Sequence, residues 1–177
     1  MKLVVLDRDG VINVDSDQYI KSPAEWTPIQ GSLEAIARLT QAGFRIVVAT
    51  NQAGLGRGLF DMATLNAMHD KMHKAVNQLG GRIDAVFFCP HTPDAGCACR
   101  KPQPGMLLEI AERFKLPLAG VAAIGDSLRD LQAASAAGAR PVLVLTGKGE
   151  ETLKSGELPE GTEIYKDLAA AAMALAA

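Results

Sequence analysis

Residues 3–10 read Leu3-Val4-Val5-Leu6-Asp7-Arg8-Asp9-Gly10, an apolar run followed directly by an acidic segment. Its four apolar residues are typical of a buried strand in a parallel sheet. The strand ends in two acidic residues at i and i+2, which point to the same side of an extended chain. Neighbouring carboxylates repel each other unless a cation lies between them, so the pattern suits a divalent metal with a nucleophile and a proton carrier. An acidic turn is the alternative, since Asp and Gly are common in turns.

Composition narrows the classes of protein to which the chain can belong. With 177 residues, 48% of them hydrophobic, the chain can bury a sizeable core, and we expect a single domain over residues 1–177. A net charge of −2 without a basic run gives no support for nucleic-acid binding. The longest apolar stretch is too short to span a bilayer, and no signal peptide is recognisable. Three clustered cysteines, an odd number, favour a reducing compartment over a disulfide framework. We therefore expect a cytoplasmic monomer with no membrane partner.

Apolar runs alternate with helical patterns along the chain. This alternation predicts an α/β fold with a three-layer, doubly wound parallel sheet of Rossmann-like type. Gly43 and Gly138 stand just past two predicted helix ends, where a left-handed residue is favoured. The predicted strands cover residues 3–6, 44–49, 85–88, 121–124 and 142–145, with a weak sixth strand at 163–165. The predicted helices cover residues 33–42, 65–79, 106–115, 128–137 and 168–177.

Polar residues follow each of the five main predicted strands at its carboxyl end. Ligands bind outside this edge of an open α/β sheet, so groups far apart in sequence should converge on one crevice. Asp7, Asp9 and Asp126 together offer oxygen ligands for one Mg²⁺. Asp7 could also attack phosphorus, while Asp9 offers its backbone carbonyl to the metal and its carboxyl for proton transfer. Thr50 can bind phosphoryl oxygens and Lys101 can offset their charge, which is what phosphoryl transfer requires.

The segment between the third strand and Lys101 carries three thiols and one imidazole. Four nitrogen and sulfur ligands suit a closed tetrahedral Zn²⁺ site, and two prolines and a glycine favour a chain that folds back on itself. We expect this zinc to fix the loop and not to activate water, because four protein ligands leave no open position. Free cysteines in a surface loop are the alternative. The predicted ligands are Cys89, His91, Cys97 and Cys99.

Other patterns carry weaker signals. Residues 127–130 read SLRD, which fits a helix capping box and an active-site role for the final Asp equally well. His69 and His73 have the spacing of a helical zinc motif, but Asp replaces its Glu, so we expect an ordinary helix surface. The glycines in residues 54–58 lack dinucleotide or P-loop spacing and indicate a flexible loop. Residues 146–149 form either a phosphate-contacting loop or a plain turn.

Four motifs, in order, resemble those of the haloacid dehalogenase-like phosphohydrolases. They are DRDG at 7–10, VVATNQ at 47–52, CRKP at 99–102 and GDSLRD at 125–130. The gaps between them leave no room for the separate cap domain of many relatives, so we expect an open, capless crevice. The resemblance implies that Asp7 is the nucleophile, Asp9 the general acid/base and Thr50 a phosphate ligand. It also implies that Lys101 is the stabilising cation and Asp126 a Mg²⁺ ligand.

A closer resemblance, to the D-glycero-D-manno-heptose 1,7-bisphosphate phosphatases, is carried by residues 28–60, 89–102 and 125–149. It implies removal of the 7-phosphate of the beta anomer through an aspartyl-phosphate. The product, heptose 1-phosphate, leads to ADP-heptose and the lipopolysaccharide core. Histidinol-phosphate phosphatases share the zinc loop and catalytic motifs and are the alternative. A phosphorylation-dependent receiver domain is a remote one.

The expected substrate contacts come from this resemblance and from the fit of Arg to a second phosphate. Two departures from the family pattern bear on them. Ser127 stands where relatives more often carry Lys, and the loop at residues 15–19 is one residue longer. The predicted contacts are Asp15, Gln18, Tyr19, Asn51, Gln52, Ala53, Arg57, Arg100 and Ser127.

Overall fold

A computed structural model describes all 177 residues, with six strands and seven helices. The strands are β1 Lys2–Leu6, β2 Phe44–Asn51, β3 Ala85–Cys89, β4 Ala122–Gly125, β5 Arg140–Val144 and β6 Glu163–Tyr165. The helices are α1 Ser32–Gln41, α2 Ala53–Gly56, α3 Met62–Gln78, α4 Gly105–Phe114, α5 Leu128–Ala136, α6 Gly149–Ser155 and α7 Leu168–Leu175. All strands are parallel and lie in the order β3-β2-β1-β4-β5-β6, which confirms the predicted doubly wound sheet.

Helices cover both faces of the sheet, because successive strand residues point to opposite sides. Val4 and Leu6 belong to a core of 24 buried residues that includes side chains of α1, α3 and α7. Leu3 and Val5 belong to a second core of 15 buried residues, to which α4 and α5 contribute. Two cores separated by one sheet give the three predicted layers. No helix has both the length and the apolarity needed to cross a membrane.

The ends of β1 and its neighbours determine where the site lies. Leu6 pairs with Val48 of β2 and with Ile124 of β4, and the backbone N–H of Asp7 donates to the Ile124 carbonyl at 2.9 Å. The strand that follows β1 in the chain, β2, pairs with one edge of β1, whereas β4 pairs with the other edge. The order of strands in the sheet therefore reverses direction at β1. Asp7 therefore stands at the switch point of the sheet, where open α/β folds bind ligands.

The connections contain no inserted domain, in agreement with the capless prediction. Between β1 and β2 lie a short 3-10 turn and α1, and between β2 and β3 lie only α2 and α3. Helices α1 and α5 are followed within two residues by Gly43 and Gly138, with φ of 90° and 80°, as their positions predict.

Two local predictions were wrong. The glycine-rich segment forms the one-turn helix α2 where a flexible loop was expected. A Cβ at Gly54 would strike the Phe60 ring and one at Gly56 would strike the Pro90 carbonyl, so these glycines permit close packing. His69 is not an ordinary surface residue, because it is 8% exposed and faces the buried Arg8.

Candidate active site

One polar crevice opens at the carboxyl edge of the sheet, above β1 and β4. It collects groups from six short segments of the chain, including residues that end or follow β1, β2, β4 and β5, as the strand-end argument predicts, whereas Cys89 at the end of β3 does not line it. Eleven predicted site residues line it: Asp7, Asp9, Asp15, Tyr19, Thr50, Asn51, Ala53, Arg100, Lys101, Asp126 and Ser127. The crevice is also lined by Ser16, Asp17, Arg129, Asp130 and Lys148.

Lys101 is the buried cation of the site. Its ammonium donates to Asp130 Oδ1 at 2.9 Å and to the Ala49 carbonyl at 2.6 Å, and it lies 3.3 Å from Asp7 Oδ1. Burial alone would favour the neutral amine, but the carboxylates of Asp130 and Asp7 outweigh it and raise the pKa of Lys101. Lys101 is therefore charged at neutral pH and is held against Asp7.

Asn51 fixes the backbone that carries this cation. Its side-chain oxygen accepts from the backbone N–H of Lys101 at 3.1 Å, and its side-chain nitrogen donates to the Lys101 carbonyl at 3.3 Å. The end of β2 thus holds the segment that follows the cysteine cluster. This contact gives Asn51 a positioning role in addition to the substrate contact predicted for it.

Three carboxylates meet beside Lys101. The ligand oxygens of Asp7, Asp126 and Asp130 all lie within 4.8 Å of one another. Burial and the charge of Asp130 raise the pKa of Asp7 well above its usual range and that of Asp126 to about 7. One ammonium does not balance this charge. The donor set is all oxygen and partly open to the crevice, which fits a hard divalent cation such as Mg²⁺.

Asp126 is held by the loop that follows β5. The backbone N–H of Lys148 donates to Asp126 Oδ2 at 2.8 Å, and the Thr152 hydroxyl donates to the Asp126 carbonyl at 2.8 Å. The Thr146 hydroxyl donates to the Gly10 carbonyl at 2.7 Å. Gly10 has φ of +87°, and a Cβ there would overlap the Asp126 carboxylate. Only glycine therefore allows the turn after Asp9 to approach the Asp126 side chain so closely.

The carboxyl group of Asp9 is turned away from the carboxylate cluster. Its Oδ1 accepts from Arg8 Nε at 2.8 Å and from Asn13 Nδ2 at 3.0 Å, while Oδ2 accepts no hydrogen bond from the protein. One carboxyl oxygen of Asp9 is thus left without a partner in the protein, while its proton transfer and the metal contact of its backbone carbonyl stay predictions.

Asp130 is the site residue that the sequence left undecided, and it serves both of the roles weighed for it. Its Oδ2 accepts from the backbone N–H and hydroxyl of Ser127, which completes the capping box of α5. Its Oδ1 accepts from Lys101. Burial opposes ionisation, but Lys101 and the Ser127 donors outweigh it and lower the pKa of Asp130. The sequence feature that pointed to both roles of Asp130 was the SLRD pattern at residues 127–130.

Three predicted substrate contacts do not line the crevice. Gln52 is buried behind Thr50 and donates to its hydroxyl at 2.9 Å, so it orients Thr50 from beneath. The guanidinium of Arg57 lies 5.9 Å from the centre of the Tyr19 ring, and Tyr19 itself has φ of +67°. Gln18 is exposed, and its carbonyl accepts from a neighbouring lysine. The roles of Gln18, Gln52 and Arg57 remain predictions.

Basic groups stand at the mouth of the crevice. Arg100 Nη1 is buried without a hydrogen-bond partner, and burial together with the nearby Arg129 lowers the pKa of Arg100. Lys148 pairs with Asp15 across the mouth at 2.8 Å. A buried guanidinium nitrogen without a partner, next to a second arginine, is a suitable place for a further anion.

The cysteine cluster forms a compact group beside the crevice. Cys89 Sγ lies 3.6 Å from Cys97 Sγ, and His91 Nδ1 lies 3.3 Å from Cys99 Sγ and 3.5 Å from Cys89 Sγ. The sulfurs of Cys89 and Cys99 are closer, at 2.8 Å, and none of the thiols is in a disulfide. Most of these separations suit ligands around one tetrahedral Zn²⁺ with bonds of about 2.1–2.3 Å. The four residues therefore fit zinc.

Comparisons with known proteins identify relatives that match nearly the whole chain. Residues 98–171 match the family described as HAD-hydrolase-like, and residues 2–128 match the family described as polynucleotide kinase 3 phosphatase. The chain is 65% identical over 172 residues to the D-glycero-beta-D-manno-heptose-1,7-bisphosphate 7-phosphatase of Bordetella bronchiseptica, covering 97% of this chain and 96% of the relative. It is 57% identical to the protein of that name from Pseudomonas putida, covering 99% of both chains.

Two solved structures resemble the whole chain. The D,D-heptose 1,7-bisphosphate phosphatase of B. bronchiseptica, complexed with magnesium and phosphate, superposes with a TM-score of 0.98 at 64% identity, covering 99% of this chain and 98% of that one. The D,D-heptose 1,7-bisphosphate phosphatase of Burkholderia thailandensis superposes with a TM-score of 0.80 at 59% identity and the same coverage.

Proposed function

The chain belongs to the haloacid dehalogenase-like hydrolase family, and on that basis we propose a specific phosphatase activity for it. The enzyme removes the 7-phosphate of D-glycero-beta-D-manno-heptose 1,7-bisphosphate and leaves heptose 1-phosphate. The observation that carries this proposal is the meeting of Asp7, Lys101 and Asp126 in one crevice at the switch point of the sheet. The high identity to relatives named for this reaction supports the choice of substrate.

Phosphoryl transfer would proceed in two steps on Asp7. An Asp7 oxygen attacks phosphorus as the bond to the sugar oxygen breaks, and an aspartyl-phosphate forms. Asp9 gives a proton to the departing sugar oxygen and then takes a proton from the water that attacks the intermediate, which releases inorganic phosphate and restores Asp7. Lys101 offsets charge on Asp7 and the moving phosphoryl group, and the Thr50 hydroxyl binds a phosphoryl oxygen.

Magnesium is the cofactor that this carboxylate arrangement fits. We assign its protein ligands to side-chain oxygens of Asp7 and Asp126 and to the backbone carbonyl of Asp9. When bound, the ion supplies positive charge that offsets the carboxylates and the phosphoryl oxygens. The solved relative complexed with magnesium and phosphate supports the choice of magnesium.

Zinc would hold the loop that delivers Arg100 and Lys101. Its ligands would be Cys89, His91 and Cys97 together with Cys99, which immediately precedes Arg100. Because four protein ligands would leave no open position on the ion, its role would be structural.

The distal phosphate of the substrate would bind at the crevice mouth. Arg100 has a buried guanidinium nitrogen without a hydrogen-bond partner, and Arg129 and Lys148 line the same crevice. Ser127 is hydrogen-bonded to Asp130 and offers no charge to the distal phosphate. Because no cap covers the crevice, these groups and the loop at residues 15–19 would select the substrate.

We also propose that the protein is a cytoplasmic monomer and that its product is used for the synthesis of lipopolysaccharide-core precursors.

The decisive experiment compares substrates for the purified protein. With Mg²⁺ present, we expect inorganic phosphate to be released faster from heptose 1,7-bisphosphate than from histidinol phosphate, with ³¹P NMR showing the anomeric phosphate retained. The Asp7→Asn variant is the matched control for contaminating phosphatases. Faster turnover of histidinol phosphate, or loss of the anomeric phosphate, would contradict the assignment.

A further inference from the structure

A buried arginine connects the proposed acid/base to a histidine that the mechanism above does not use. Arg8 is fully buried, at 0% exposure. Its Nε donates to Asp9 Oδ1 at 2.8 Å, and its Nη1 lies 3.2 Å from Nε2 of His69, which is 61 positions away on α3. The third nitrogen, Nη2, has no partner in the protein. These two contacts are the only polar partners of the Arg8 side chain.

Burying a guanidinium is costly unless its hydrogen bonds are made with good geometry. A structural cation in the core would be expected to satisfy all of its nitrogens, but Arg8 uses one on Asp9 and one on His69. The hydrogen bond to His69 fixes the plane of the guanidinium, and that plane fixes the direction from which Nε reaches Asp9. The arrangement resembles that of an orienting group behind a catalytic carboxyl.

The ring of His69 can accept this hydrogen bond only when Nε2 carries no proton. Burial, the charge of Arg8 and the neighbouring His73 lower the pKa of His69 to about 4, so the ring is neutral at physiological pH. A neutral imidazole with a free Nε2 lone pair is therefore the acceptor for Arg8 Nη1. His69 and Arg8 are not two cations forced together but an acceptor and a donor.

Both donors to Asp9 act on the same oxygen. Arg8 Nε and Asn13 Nδ2 converge on Oδ1, whereas Oδ2 accepts no hydrogen bond from the protein, and Asp9 lines the crevice. Rotation of the carboxyl would break both hydrogen bonds at once. The oxygen that carries the proton is therefore held toward the position of the departing sugar oxygen, and proton transfer depends steeply on that geometry.

We propose that His69 is a positioning residue for the proton transfers of Asp9 and that it acts through Arg8. The inference rests on the proposed function, in which Asp9 protonates the leaving oxygen. It also gives a role to the histidine pattern of α3, whose histidines belong to neither cluster of possible metal ligands.

The test compares two amide variants of His69. In His69→Gln the side-chain oxygen reaches the place of Nε2 and can accept from Arg8, whereas the shorter side chain of His69→Asn cannot. Each variant is assayed with the sugar phosphate, whose alkoxide must be protonated, and with p-nitrophenyl phosphate, whose phenolate leaves without a proton. The comparison uses kcat/KM, which reports steps only up to the formation of the phosphorylated enzyme.

We expect His69→Asn to lower kcat/KM about tenfold for the sugar phosphate and less than about twofold for p-nitrophenyl phosphate, because only the first needs the acid. His69→Gln should stay within about twofold of the parent with both esters. Val76→Ala, which opens a cavity on the buried face of the same helix, controls for loss of stability. This control variant should not change the ratio of the kcat/KM values for the two esters.

Three results would overturn the inference: an equal loss with both esters in His69→Asn, no loss in that variant, or a loss in His69→Gln as large as in His69→Asn. The readout separates this inference from the proposed function. An unmodified protein that hydrolyses neither ester contradicts the phosphatase assignment itself, whereas active protein with an unchanged ester ratio contradicts only the role of His69.

Discussion

Replacement of Lys101 by Met tests the charge balance of the site directly. The side chain of Lys101 is 7% exposed and contacts Asp130 at 2.9 Å and Asp7 at 3.3 Å. Methionine keeps most of the volume and removes the charge. The carboxylates of Asp7 and Asp130, which lie close to that of Asp126, then lose the only cation that contacts them.

The magnitude follows from the two ion pairs. At an effective dielectric constant of about 20, unit charges at these separations attract by roughly 5–6 kcal/mol per pair. Desolvation of the buried ammonium offsets much of this gain, and removing one partner of a buried pair typically costs about 3–5 kcal/mol. Proton uptake by Asp7, whose pKa is already raised, reduces the loss. We therefore expect the free energy of unfolding to fall by about 3 kcal/mol at pH 7.5.

The pH of the assay follows from the direction of the shift. The pKa of Lys101 is raised in the folded protein, so its stabilisation is fully present below the ordinary value of 10.5 and is lost only as pH rises through the raised pKa. Urea unfolding at pH 7.5 without added Mg²⁺, and without a chelator that would remove zinc, therefore measures the whole effect. Turnover with Mg²⁺ should fall by about 10³-fold or more, because the cation beside the phosphoryl group is gone.

Lys148→Met is the matched control. Lys148 lines the same crevice and pairs with Asp15 at 2.8 Å, but its side chain is 41% exposed. An exposed pair contributes about 1 kcal/mol or less. Equal losses of stability in the two variants, or an unchanged unfolding free energy in Lys101→Met, would refute the argument that Lys101 is held as a buried counter-charge.

Three further predictions test the chemistry, the loop and the metal. Asp9→Asn should accumulate phosphate on Asp7 in mass spectra, because water is no longer deprotonated efficiently, and Asp7→Asn should show no label; labelling that persists there would contradict the nucleophile assignment. Cys97→Ser should lose zinc, melt at a lower temperature and turn over more slowly, and full activity in verified zinc-free protein would exclude the structural role. Because the pKa of Asp126 is raised to about 7 in the metal-free protein, Mg²⁺ must displace a proton below that pH. Its affinity in calorimetric titrations should therefore fall by up to about tenfold per pH unit below 7 and level off above 8, and equal affinity at pH 6 and pH 8 would contradict this.

Much of the fold was predictable because the sheet is buried on both faces. Each inner strand contains a continuous run of apolar residues, and the amphipathic pattern of α3 places Leu65, Met68 and Met72 on one buried face. The strand at Glu163–Tyr165 was also found at the predicted position. The one-turn helix at residues 53–56 was not predictable. It depends on close approaches to Phe60 and Pro90, which are tertiary contacts that the sequence does not display.

The site was predictable where chemistry and strand ends coincide. Asp7, Thr50 and Asp126 follow or end strands, so the topology of the sheet brings them together. Asp130 and His69 lie inside helices, where polar residues usually face solvent. Their roles depend on partners far along the chain, Lys101 for Asp130 and Arg8 for His69. Only the assembled fold places those partners close enough to identify them.

The two oxygens of Asp130 couple the position of Lys101 to that of Asp126, the proposed metal ligand. Oδ2 accepts from the backbone N–H groups of Asp126 and Ser127, each at 3.1 Å, so it fixes the chain at Asp126. Oδ1 holds the ammonium of Lys101 at 2.9 Å. A displacement of either side must therefore strain the other through one buried carboxylate. The same residue caps α5, so the position of the active-site cation is coupled to the stability of a helix in the second core. This coupling gives phosphoryl transfer a rigid frame, although the chemistry takes place in an open crevice without a cap.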